Sequence, residues 1–220
     1  MPTAAAEVTF FPMMIRLEGR KCVVVGAGAV AEEKISGLLP HLARVTVVSP
    51  RATRKIQKQA RAGILTWKKR RFTARDIEDA FLAIAATDSP AVNAAVFRAC
   101  TARGVLCNSV DDPPNCDFFY PAVVRRGALQ IAISTNGRSP ALASRLRREL
   151  EKQFGSEWAD WVEHIGNMRN QILSQPSPPR KKRERLFEVA SLPAFWQFMR
   201  DRKKKTGSKR QQKKEKSDCE

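Results

Sequence analysis

No stretch of this 220-residue sequence approaches the roughly 18 consecutive apolar residues that a membrane span needs. The short apolar segment Phe10-Phe11-Pro12-Met13-Met14-Ile15 has no basic residue before it, since Arg16 is the first in the chain, so it lacks the positive flank of a secretory signal. A soluble, cytoplasmic protein is expected. The five cysteines (Cys22, Cys100, Cys107, Cys116 and Cys219) contain no Cys-x-x-Cys pair, and the two histidines, His41 and His164, are isolated. That excludes a recognisable zinc or iron–sulfur signature and leaves reduced thiols as the expectation. There is one tyrosine, Tyr120, and no internal repeat.

Acidic residues are also short: 22 Asp/Glu stand against 40 Lys/Arg, a formal net charge of +18. The excess is uneven. Arg180-Lys181-Lys182-Arg183-Glu184-Arg185 is one basic block, and residues 201–220 hold another. No aromatic is interleaved through that tail, as a base-stacking surface would require. A solvated, disordered tail is therefore favoured over a nucleic-acid-binding one. The 43% of apolar residues are enough to fill the core of a medium domain with a smaller one beside it.

What the chain does have is Lys21-Cys22-Val23-Val24-Val25-Gly26-Ala27-Gly28-Ala29-Val30-Ala31. A β-branched run leads into Gly-x-Gly-x-x-Ala, and Ile35, Leu38 and Leu39 follow at helical spacing. Strand, glycine turn and helix in that order read as a dinucleotide-binding turn. Gly26 permits the bend, Gly28 lets backbone approach a pyrophosphate, and Ala31 permits close packing of helix on strand. The phosphates would lie on free N–H groups at the helix N-terminus.

The same rhythm continues. Arg44 to Ser49 reads as a second strand, 51–62 as a surface helix stopped by Gly63, and Ile64 to Trp67 as a third strand. Phe81 to Ala86 is a fourth, Ser89-Pro90 opens a helix running to about Arg103, and Leu106 to Val110 is a fifth. Such alternation predicts an α/β, Rossmann-type parallel sheet with ligands at the carboxyl ends of its strands. The rhythm changes near residue 113. Phe118 to Val124 and Ala128 to Ser134 read as a β-hairpin whose core face Phe118, Phe119 and Tyr120 fill, followed by a helix carrying Leu142, Leu146 and Leu150. Helices over about 156–174 and 184–200 flank a Pro/Ser linker at 176–179. The expected organisation is a dinucleotide-binding domain over 1–112, a hairpin and helix unit over 113–155, a helical region over 156–200 and a basic tail over 201–220.

Three stretches could carry chemistry. Thr87 closes the fourth strand and could hydrogen-bond a nicotinamide or ribose group, and the stretch reads equally as a helix cap, which Asp88 or Ser89 could supply. Asn108 and Asp111 end the fifth strand, where a carboxylate pointing into the crevice could take a proton from a substrate, although Asp111-Asp112-Pro113 also reads as a plain turn. Ser134-Thr135-Asn136-Gly137-Arg138-Ser139-Pro140 feeds a helix N-terminus, which suits a carboxylate or phosphate and equally a simple cap.

Taken together, the motifs resemble those of the precorrin-2 dehydrogenase family, the N-terminal module of sirohaem synthases that also occurs alone. The matching residues are Phe11-Pro12, Leu17-x-Gly19-Arg20-Lys21, Val23 to Lys34, Ala85-Ala86-Thr87-Asp88 with Val92-Asn93, Cys107 to Asp111, Cys116-Asp117-Phe118, Pro121-Ala122, and Ile133 to Gly137 with Ser139-Pro140. The resemblance implies NAD-dependent oxidation of the tetrapyrrole precorrin-2 to sirohydrochlorin on a homodimer whose hairpin unit serves dimerisation, and in bifunctional members iron insertion as well. It implies Asp111 as general base and a tetrapyrrole pocket including Asn136, Arg138 and Ser139. Cofactor contacts are expected at Gly26, Gly28, Ala29, Val30, Ser49, Pro50, Thr87 and Asn108.

One departure stands out. Where the second strand should end in an acid to hold the adenosine ribose, the chain reads Val48-Ser49-Pro50-Arg51, and an arginine there could accept a 2′-phosphate. The resemblance keeps NAD as the expected cofactor. The alternative from another class is a non-catalytic, dinucleotide-sensing regulator using its basic tail on nucleic acid. It predicts a helix-turn-helix or an aromatic-rich basic surface, and neither is present in the sequence.

Overall fold

Five β-branched or apolar runs form one parallel sheet in the computed structural model, which describes residues 10–202. The strands are β1 (Lys21–Val25), β2 (Arg44–Val48), β3 (Thr66–Lys68), β4 (Leu82–Ala85) and β5 (Leu106–Ser109), in the order β3-β2-β1-β4-β5. This is the doubly wound order, with its switch point between β1 and β4. The crossovers include α1 (Ala29–Leu38), α2 (Arg54–Arg61) and α3 (Pro90–Thr101).

Side chains alternate across the sheet. Cys22, Val24, Val45, Val47, Leu82 and Ile84 join Ile35 and Leu38 of α1 and Ile56 of α2 in one cluster. Val23, Val25, Val48, Ala83 and Ala85 meet Val96 and Cys100 of α3 in the other. Both faces are covered, which is why Cys22–Val25 of β1 and Leu82–Ala85 of β4 are apolar at consecutive positions rather than at every second one.

This first compact unit runs to Tyr120, past the expected limit at residue 112. Residues 115–118 turn back along β5: the Asp117 N–H donates to the Cys107 carbonyl at 2.7 Å, and the Cys107 N–H donates to the Asp117 carboxylate at 2.8 Å. Asn108 bridges to Cys116 and donates to the Phe118 carbonyl at 2.9 Å. Phe118 packs on the sheet's first core cluster and meets Tyr120 edge-on at 5.6 Å. These aromatics serve the sheet unit, not the hairpin core assigned to them from the sequence.

The second unit comprises β6 (Ala122–Arg126), β7 (Leu129–Ile133), α4 (Pro140–Gln153), α5 (Glu157–Ser174), α6 (Pro179–Val189) and a helix over 192–202. β6 and β7 pair antiparallel about Val124↔Ile131, joined at Gly127, whose φ of 58° suits the tight turn. The Arg126 guanidinium donates to the carbonyls of Phe154 at 2.7 Å and Glu151 at 3.0 Å, satisfying the C-terminal end of α4. Trp158 stacks on Phe195 at 4.5 Å, beside buried Trp161. The helix expected over 184–200 is two: Pro179 starts α6 early, and a break at residues 190–191 precedes the helix over 192–202. The basic tail expected over 201–220 lies, beyond residue 202, outside the described residues. No helix among the described residues is long and apolar enough to cross a membrane.

A candidate dinucleotide-binding active site

The carboxyl ends of β1, β2, β4 and β5 open into one cleft of about 1180 Å³. Its centre is the glycine turn after β1. Gly26 has φ 106°, and its N–H donates to the Val48 carbonyl at 3.0 Å. A Cβ at residue 26 would stand 2.0 Å from the Ala86 carbonyl oxygen, so only glycine lets β1 and β4 approach here. Gly28 differs: its φ is −85°, and a Cβ there would meet nothing within 4 Å. That open space is what a pyrophosphate would fill. Gly28 is also the N-cap of α1 and has no side chain to bond the first-turn N–H groups, which leaves them for an anion. Ala29 and Val30 line the cleft, Val30 being half exposed although apolar. Ala31 is fully buried under the helix, as close packing requires.

Ser49 and Pro50 line the cleft beyond β2. The Ser49 hydroxyl donates to the Arg51 carbonyl at 2.7 Å, and the Trp67 indole N–H donates to the Ser49 carbonyl at 2.9 Å, so this turn is pinned at both ends. Thr87 lines the opposite side, but Asn93 clamps it: the Thr87 hydroxyl and N–H lie 2.7 Å and 3.2 Å from Asn93 Oδ1, and Asn93 Nδ2 donates to the Thr87 carbonyl at 3.1 Å. Ser89, not Asp88, caps α3 by accepting from the Val92 N–H. Thr87 therefore shapes the rim through a fixed backbone.

Asn108 does not line the cleft. It is buried, and its amide is spent on Phe118 and Cys116 in the segment that returns along β5. Its place is structural, one layer behind the cofactor contact expected of it. Asp111 does line the cleft, exposed, on a left-handed turn with φ 59°, a conformation Asp tolerates better than most residues. Asp112 turns away and accepts from Asn115 Nδ2 at 2.6 Å and from the Ser109 hydroxyl at 3.4 Å.

Two lining residues, Arg71 and Phe72, escaped the sequence reading. They sit on the loop after β3, held by the wholly buried carboxylate of Asp76, which accepts from Arg70 at 2.6 and 2.7 Å, Lys68 at 3.0 Å and the Thr73 N–H at 3.0 Å. Burial alone would raise the Asp76 carboxyl, but the hydrogen bonds from Arg70, Thr73 and Lys68 prevail and hold it well below the usual carboxylate range. The signal available in the sequence was the capping-box spacing of Thr73 and Asp76.

In the second unit the three substrate candidates share the loop before α4. Asn136 has φ 51° and donates its N–H to the Ser134 hydroxyl at 3.1 Å, and the Ser139 N–H donates to the Thr135 hydroxyl at 2.9 Å. The Ser139 hydroxyl oxygen accepts from the Leu142 N–H at 3.2 Å, capping α4 with Pro140 at the first helical position. Asn136 and Arg138 are exposed.

A doubly wound sheet with a glycine turn, a bare helix N-terminus and open space at Gly28 defines a dinucleotide-binding protein. The residues present fit that group. Residues 13–122 match a family described as putative NAD(P)-binding, and residues 126–153 match the central region of sirohaem biosynthesis proteins. The chain is 31% identical over 183 residues to the sirohaem biosynthesis protein met8 of Schizosaccharomyces pombe, covering 80% of this chain and 69% of that one. It is 38% identical to sirohaem synthase 1 of Pectobacterium atrosepticum over 82% of this chain but only 38% of that protein. The structure named SirC, precorrin-2 dehydrogenase, superposes with a TM-score of 0.72 at 27% identity, covering 89% of this chain and all of the other. The chain belongs to this sirohaem-biosynthesis family of NAD(P)-binding proteins, and it spans little more than a third of the length of the bacterial sirohaem synthases it matches.

Proposed function

We propose that this protein oxidises precorrin-2 to sirohydrochlorin with NAD as electron acceptor. One observation carries the reading: the Asp111 carboxylate stands on the same cleft as the open space at Gly28 and the uncapped N-terminus of α1. Gly28, Ala29 and Val30 would hold the pyrophosphate, with Ser49 and Pro50 at the adenosine side and Thr87 at the nicotinamide side. The nicotinamide, when bound, supplies the hydride acceptor.

The chain's own residues do the rest. Asp111 accepts the proton that leaves the substrate as the new double bond forms, and its exposed position on a fixed turn keeps the carboxylate in the crevice. The clamp of Asn93 on Thr87 fixes the rim opposite α1. The substrate is a polycarboxylate, and the loop of Asn136, Arg138 and Ser139 at the N-terminus of α4 offers it N–H groups and a cation. In this reading the hairpin and α4 form the tetrapyrrole and dimer region of a cytoplasmic homodimer. The half-exposed Leu142 and Leu146, four residues apart on α4, support that assignment, since a partner surface would cover them.

The test is to incubate the protein with enzymatically generated precorrin-2 and NAD and follow the absorption spectrum. Conversion to the sirohydrochlorin spectrum is expected, and an unchanged spectrum with NAD bound overturns the reading. Ferrous iron added afterwards reads out metal insertion separately.

A further inference from the structure

Two carboxylates line the cleft among the described residues, Asp111 and Asp88. Asp88 is exposed, and its carboxylate has no hydrogen-bond or ion-pair partner among those residues. The capping of α3 that it could have supplied falls to Ser89, whose hydroxyl oxygen accepts from the Val92 N–H at 3.4 Å. The backbone on either side of Asp88 is nevertheless fixed. Asn93 clamps Thr87, and the Thr87 hydroxyl oxygen accepts from the Ser89 N–H at 3.2 Å. An anchored turn thus presents an unengaged carboxylate to the cleft.

The strand order says which part of a dinucleotide would meet it. β4 lies between β1 and β5, and the register Ala85↔Ser109 sends the turns carrying Asp88 and Asp111 off adjacent strand ends. Gly28, beyond β1, borders the pyrophosphate space, and Asp111, beyond β5, is where the substrate's proton leaves. A nicotinamide that takes hydride from the same substrate must therefore lie toward β5. What joins the two ends crosses the end of β4, over about 10 Å at two strand spacings. In NAD that joining piece is the nicotinamide ribose, whose two hydroxyls are donors that one carboxylate can accept together. The adenosine side offers no such acid: Ser49 follows Val48, and its hydroxyl donates to the Arg51 carbonyl.

We propose that Asp88 holds the 2′- and 3′-hydroxyls of the nicotinamide ribose and so sets the nicotinamide beside Asp111. This rests on the dinucleotide reading of the cleft and assigns the ribose contact that the adenosine side lacks. Two other effects of the same carboxylate are separable from it. An acid just before α3 also complements the helix dipole, which bears on stability rather than on the choice between ligands. Removing a negative charge from the cleft would by itself strengthen the binding of any anionic ligand, the opposite of losing a ribose contact.

Calorimetry on the full chain would compare three ligands: NAD, ADP-ribose, which keeps the second ribose without nicotinamide, and ADP, which ends at the pyrophosphate. In Asp88→Ala the affinity for ADP-ribose relative to ADP should fall at least about tenfold, and NAD should weaken by at least the same factor, the scale of hydrogen bonds to a charged group. ADP itself should bind as tightly as before or more tightly, since a negative charge has gone. The inference is overturned if Asp88→Ala keeps the wild-type ratio of ADP-ribose to ADP, whether because neither ligand weakens or because both weaken equally. It is overturned too if NAD alone weakens, which would put the carboxylate on the nicotinamide amide instead of the ribose. Failure of NAD, ADP-ribose and ADP to bind the wild type would bring down the dinucleotide reading, and this assignment with it. A thermal melt of Asp88→Ala, expected within a few degrees of wild type, shows that the comparison is between folded proteins; Asp88→Asn, of the same shape at this exposed position, supplies the comparison if the alanine variant melts early.

Discussion

Gly26 and Gly28 are two residues apart and are glycine for different reasons. At Gly26 the reason lies inside the protein, in the Ala86 carbonyl that any Cβ would strike. At Gly28 the space is open and the backbone is in a region that any residue can adopt, so a side chain there costs the fold little. Gly28→Val is therefore expected to melt within a few degrees of wild type, the change at an N-cap being worth under about 1 kcal/mol, while NAD affinity falls by at least about tenfold because the side chain occupies pyrophosphate space. Undiminished NAD binding by the folded variant, measured by calorimetry, would remove the pyrophosphate from this turn. Asp111 allows an equally clean substitution, since asparagine also tolerates its left-handed conformation. Asp111→Asn should retain dinucleotide binding and lose about 10² or more in kcat, the scale of a missing general base. Asp112→Asn, whose side-chain oxygen can still accept from Asn115, should lose little. Near-normal turnover by Asp111→Asn would pass the proton to water or to a substrate carboxylate.

The loop after β3 shows how one buried group organises an element. Asp76 ties Lys68, Arg70 and Thr73 together, and Arg71 and Phe72 reach the cleft because their neighbours are fixed. Because its folded pKa lies below the unfolded one, Asp76 contributes stability that is fully present above about pH 4, the ordinary aspartate range, and lost as pH falls toward the lowered folded value. Asp76→Asn should cost about 2–3 kcal/mol at pH 7, the scale of breaking charge-assisted bonds to a buried carboxylate. The difference from wild type in denaturant melts should narrow progressively as pH falls below about 4, and a gap independent of pH would refute the ionic account. The sequence showed the strand–helix rhythm and the glycine turn because those signals are local: Val23 to Val25, Gly26 and Ile35 lie within one window. It concealed what depends on distant partners. Arg71 reads as one of four consecutive basic residues until Asp76 is seen to anchor its neighbour. Asn108 reads as a strand end facing ligand until residues 116 and 118 fold back onto it. The Thr87 hydroxyl was ambiguous because its competitor, Asn93, lies one helical turn into α3.

At the scale of the whole molecule, the strand order leaves β3 and β5 as the sheet's two outer members. Outer strands present unpaired N–H and C=O groups that another chain can use as a template. β3 is only three residues long and ends in Lys68, with Lys69, Arg70 and Arg71 following, which discourages such pairing by brevity and charge. β5 lacks that defence, and the return of residues 115–118 covers it through Asp117 and Cys116 instead. Asp117→Ala removes the carboxylate that accepts from the Cys107 N–H and frees that length of backbone. Light scattering at a temperature below the melt should then rise severalfold faster than for wild type, with dinucleotide binding retained in the protein that stays in solution; equal scattering would show that the covering segment holds without Asp117. The motif that ends the dinucleotide-binding unit thus protects against intermolecular strand addition, and its cost of loss is measured in solubility and shelf life before it is measured in turnover.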